Sequence, residues 1–71
     1  MDSAHLAILK EALETIQRKE ELDRAVGRAV RRRGLDFKSY VDIMGEVRDL
    51  ARAKGLGAIE AAKLLVGKAE E

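Results

Sequence analysis

Arg33-Gly34-Leu35-Asp36 reads as the end of one helix and the start of another. The preceding arginines, Arg31, Arg32 and Arg33, suit the negative carbonyl end of a helix dipole, and Gly34 can take the left-handed conformation that closes a helix. Asp36 offers a side-chain oxygen to the unpaired N–H groups of whatever helix follows. A second boundary of the same kind, Lys54-Gly55-Leu56-Gly57, lies 21 residues further on. Between the two boundaries, Phe37, Tyr40, Val41, Met44, Val47, Leu50 and Ala51 form one apolar stripe at helical spacing, with Asp42, Glu46, Asp49 and Arg52 opposite. Gly45 interrupts that helix at a cost of about 1 kcal/mol relative to alanine.

Working toward the N-terminus, Leu22, Val26, Ala29 and Val30 give a helix its inner face, and Leu6, Leu9, Leu13 and Ile16 do the same for an earlier one capped by Asp2 or Ser3. The register between these two stretches breaks across Gln17–Glu21. With no glycine or proline there, the expectation is a continuous helix or a short kink. After Gly57 a last helix carries Ile59, Ala62, Leu65, Val66 and Ala69 on one side and Leu64 on another, which predicts burial on more than one face. The result is an all-α chain, a small bundle of three to four helices forming one domain over residues 1–71, with helices near 3–20, 21–33, 36–54 and 57–69.

Composition agrees. Proline is absent, the aromatics are Phe37 and Tyr40 alone, and good helix formers fill most positions. Without cysteine there is neither a disulfide nor a thiolate metal site, and His5 has no second histidine to share a metal with. Neither metal nor other cofactor is expected. A core this small supplies only ~3–5 kcal/mol, so regular helix packing or self-association must stabilise it, and the Leu6, Leu9, Leu13, Ile16 stripe is the candidate homodimer seam. No apolar run is long enough for a membrane span and the N-terminus does not read as a signal peptide, so a cytoplasmic protein is expected.

A net charge of +1 conceals an uneven distribution. Arg24, Arg28, Arg31, Arg32, Arg33 and Lys38 crowd the middle against Asp36 alone, and Arg24, Arg28, Arg31 and Arg32 cluster opposite the apolar face of their helix. Each arginine that neutralises a phosphate releases counterions, so four such contacts predict a log-affinity slope of roughly −3.6 against log salt. The competing reading is a solvated face in which arginines pair with Glu20, Glu21 or acidic groups of another helix, worth ~0.3–0.5 kcal/mol for each exposed pair.

Gly55-Leu56-Gly57 followed by Ala61, Leu64 and Leu65, with Leu50 and Ala53 before it, resembles the helix-hairpin-helix DNA-binding motif. The resemblance implies that the two glycines form a tight turn, that Leu56 plugs the helix pair and that Ala61 allows close packing. It also implies that backbone N–H groups of the turn and the following helix meet a phosphate, with Lys54 and Lys63 supplying nearby charge. Such a contact ignores base sequence and serves DNA or RNA alike. Where family members often carry lysine or threonine early in the second helix, this chain has Ala58, Ile59 and Glu60. The same residues, with Ala51 four positions before Gly55, also look like a helix-turn-helix, although the second helix lacks an asparagine or arginine to read a base edge. Simple chain reversal without a ligand accounts for the glycines equally.

Signals for catalysis are poor. Ser3 and Ser39 suit helix caps, Tyr40 suits an apolar stripe, and Glu11, Glu14, Glu20 and Glu21 suit a solvated surface, so no enzyme is expected. The function read from the sequence is a nucleic-acid-binding module using Lys54, Gly55, Leu56, Gly57, Lys63, Arg24, Arg28, Arg31 and Arg32. The alternative is a helical module for protein–protein interaction or homodimerisation.

Overall fold

The computed structural model describes residues 1–70 and is built from α1 (Ser3–Thr15), α2 (Leu22–Arg32), α3 (Phe37–Lys54) and α4 (Ala58–Glu70), with no strand among them. Each helix packs on its neighbour in sequence and α4 returns against α1, closing a four-helix ring 31 × 27 × 21 Å in extent. Inside it Ile8, Leu9, Ala12, Val26, Ile43, Val47, Ala61 and Ala62 are buried. Full burial of an aliphatic side chain of valine size or larger stabilises by about 1.5–3 kcal/mol.

The caps follow the sequence reading. The Asp2 carboxylate accepts the His5 N–H at 2.8 Å and opens α1; the Asp36 carboxylate accepts the Ser39 N–H at 3.3 Å and opens α3. At the end of α2, Gly34 has φ 69°, its N–H donates to the Arg31 carbonyl, and the Leu35 N–H donates to the Val30 carbonyl. Those two bonds satisfy carbonyls that a helix end leaves unpaired.

Three expectations need correction. The first helix does not run to residue 20 and does not merely kink: α1 ends at Thr15, and Ile16 leaves it with ψ 133°. The Gln17–Glu21 segment is a loop in which Lys19 adopts φ 71°. Its physical cause is a long-range latch. Arg28 of α2 grips the Glu20 carboxylate with both guanidinium nitrogens, at 2.6 and 3.0 Å, and donates a further bond to the Thr15 carbonyl at 3.1 Å. Glu20 in turn accepts the Gln17 N–H, and its own N–H donates to the Gln17 carbonyl. These bonds offset the cost of a left-handed lysine and replace the helical bonds that are lost.

The second correction concerns the proposed dimer seam. Leu9 is fully buried inside the chain, and Leu13 and Ile16 pack against the same core, so most of the Leu6, Leu9, Leu13, Ile16 stripe is already covered by the chain's own helices. Leu6 is half-buried. The third concerns the stripes of α3 and α4. Ile43, absent from the expected face, is fully buried, whereas Phe37 is 73% and Val41 48% exposed; on α4, Ile59 and Leu64 both remain exposed, so only one face is covered.

Candidate nucleic-acid interface

The arginines of α2 and its C-cap differ in what they hold. Arg28, as described, holds the α1–α2 loop, while Arg33 and Arg32 reach Glu11 of α1 at 3.0 and 3.9 Å. Those three are tied to carboxylates. Arg24 and Arg31 are exposed and make no ion pair or hydrogen bond among the described residues. They are seven residues apart, about two helical turns, and so share a side of α2.

Both line an open groove of about 590 Å³ between the outer side of α2 and the start of α3. Gly27 sits on its α2 wall, where the Tyr40 ring comes close enough to touch an added methyl at 4.0 Å. Phe37 stacks on Tyr40 with ring centroids 5.4 Å apart and planes inclined by 27°. Leu35, 41% exposed, extends the apolar floor. The site therefore combines two unpaired guanidinium groups with an aromatic face open to solvent.

Glu20 and Asp23 also line this groove. The charge of Glu20 is neutralised in place: the Arg28 hydrogen bonds first, and the Gln17 N–H second, lower its pKa from 4.5 to about 2. Reciprocally, Glu20 raises the pKa of Arg28. Asp23 stands in the first turn of α2, where a helix dipole favours an anion, and its Oδ1 is buried without a hydrogen-bond partner among the described residues.

The Gly55 turn has a different character. Gly55 takes φ 65° at the end of α3, and Ala61 is fully buried where α4 packs. However, the N–H groups of Gly55 and Leu56 both donate to the Ala51 carbonyl, so the turn's own amides are already taken. That end of α4, from Gly57 to Glu60, lines a second groove with Glu20, Glu21, Asp23 and Arg48. Four carboxylates, Glu60 included, face one arginine there. Lys54 and Lys63 are exposed, and neither lines this groove or the first. The two grooves share Glu20 and Asp23.

Among the sequence-derived residues, then, Arg24, Arg28 and Arg31 come together on one groove, Arg32 turns to α1, and the glycine turn lies elsewhere. Phe37, Tyr40, Leu35 and Asp23 join the groove and were not singled out as functional by the sequence reading. The available signal was position: Phe37 continues the inner stripe of α3 but is its first residue, beyond the reach of the opposing helix. Among the described residues no cluster of three or more His, Cys, Asp or Glu side chains could hold a metal ion, and no helix is long and apolar enough to cross a membrane. No protein-family model, curated protein or solved structure is significantly similar to this chain.

Proposed function

We propose that this chain binds the phosphate backbone of nucleic acid, with little sequence selectivity, through the groove between α2 and α3. The observation that supports this reading is the pair Arg24 and Arg31, two helical turns apart on the groove and without a hydrogen bond or ion pair among the described residues, while Arg28, Arg32 and Arg33 are engaged within the fold. Arg24 feels the Glu20 charge but, like Arg31, is not held by it in a hydrogen bond, and a guanidinium not so held can fork onto phosphate oxygens. In this reading the Gly55-Leu56-Gly57 turn has a structural role, reversing the chain between α3 and α4, because the groove beside Gly57 adds Glu21 and Glu60 to the two carboxylates it shares with the first and sets Arg48 alone against them.

Two contacts make a weak, salt-sensitive binder. Titration of labelled random-sequence oligonucleotides at several salt concentrations should give a log–log slope of about −1.8 for a duplex and about −1.4 for a single strand, not the roughly −3.6 of four contacts. Absence of binding at low salt would leave the rival reading, a protein-interaction module, whose support is the exposed apolar group Leu35, Phe37 and Val41.

A further inference from the structure

We infer that the groove takes single-stranded rather than duplex nucleic acid, with one base stacked on Phe37 and the flanking phosphates held by Arg24 and Arg31. The inference rests on the phosphate-binding reading and adds the occupant's form. One side of Phe37 is occupied by Tyr40; with 73% of the residue exposed, the opposite side offers a flat apolar surface. Bases inside a duplex already stack on each other and present no face to such a ring, whereas an unstacked base does. Arg24, Arg28 and Arg31 outnumber Glu20 and Asp23 along the groove, which gives it charge complementarity to a polyanion.

The chain has one tyrosine and no tryptophan, so its intrinsic emission reports on Tyr40 beneath the stack. The test measures binding of labelled 12-nucleotide oligo-dC and oligo-dT and of a random-sequence duplex by anisotropy at low salt, with Tyr40 emission followed in parallel. Expected are tighter binding of the single strands than of the duplex, quenching of Tyr40 by the single strands, and a loss of about tenfold in single-strand affinity in Phe37→Ala with little change for the duplex. Phe37→Trp should restore it. Equal binding of single strand and duplex, indifferent to Phe37→Ala, would overturn the stacking inference while leaving the phosphate reading in place. Binding of neither would overturn both.

Discussion

A guanidinium reaching back from α2 takes the place of the glycine or proline that a sharp helix break ordinarily uses. Arg28 satisfies a terminal carbonyl of α1 and orients Glu20, so that the loop geometry depends on a pair of side chains eight residues apart. Because the Glu20 pKa is lower in the folded chain than its ordinary value of 4.5, the folded state favours the ionised form. The stabilisation is therefore present above the ordinary value and is lost as pH falls through about 2. Thermal melts of the wild type and Glu20→Gln across acidic pH should show a wild-type advantage that is constant near neutrality and shrinks toward the acid end. A gap unchanged down to the lowest pH would contradict the latch. Local sequence hid this pair: an i, i+4 reading joins Glu20 to Arg24, and only the tertiary turn brings Arg28 to the same carboxylate.

Among the elements, α3 best shows what periodicity does and does not convey. Its start and stop were legible in Asp36 and Gly55 because capping and left-handed closure are local requirements, met by few residue types. Its inner face was legible only approximately, since spacing gives the direction of a side chain and not whether another helix lies opposite. Tyr40, Met44 and Val47 meet the core, while Phe37 on the same stripe projects beyond it and becomes part of the candidate site. The glycines of this helix should respond oppositely to substitution. At Gly55, φ 65° makes Gly55→Ala destabilising by about 1 kcal/mol; at Gly45, in the helix interior with open space around an added methyl, Gly45→Ala should stabilise by about 0.5–1 kcal/mol. Urea denaturation of both variants checks the signs, and equal effects would contradict the assigned backbone geometry.

At the scale of the whole molecule, the ring of four helices separates two kinds of arginine on a single helix. Arg28, Arg32 and Arg33 are tied to carboxylates of α1 and the α1–α2 loop, whereas Arg24 and Arg31 are not and border an aromatic groove that Arg28 also lines. Sequence alone could count the basic residues but could not sort them, because Glu11 and Glu20 become partners only when α1 folds back along α2. The same folding places the acidic start of α2 opposite the start of α4, which is why the glycine turn and the arginine helix do not make one phosphate surface. The most direct test compares two double charge reversals in low-salt binding to a random-sequence single strand: Arg24→Glu with Arg31→Glu, and Lys54→Glu with Lys63→Glu. The first pair should abolish binding, and the second should leave the affinity within a few-fold of wild type. Loss of binding in the lysine pair with retention in the arginine pair would contradict the assignment and return the site to the Gly55 turn.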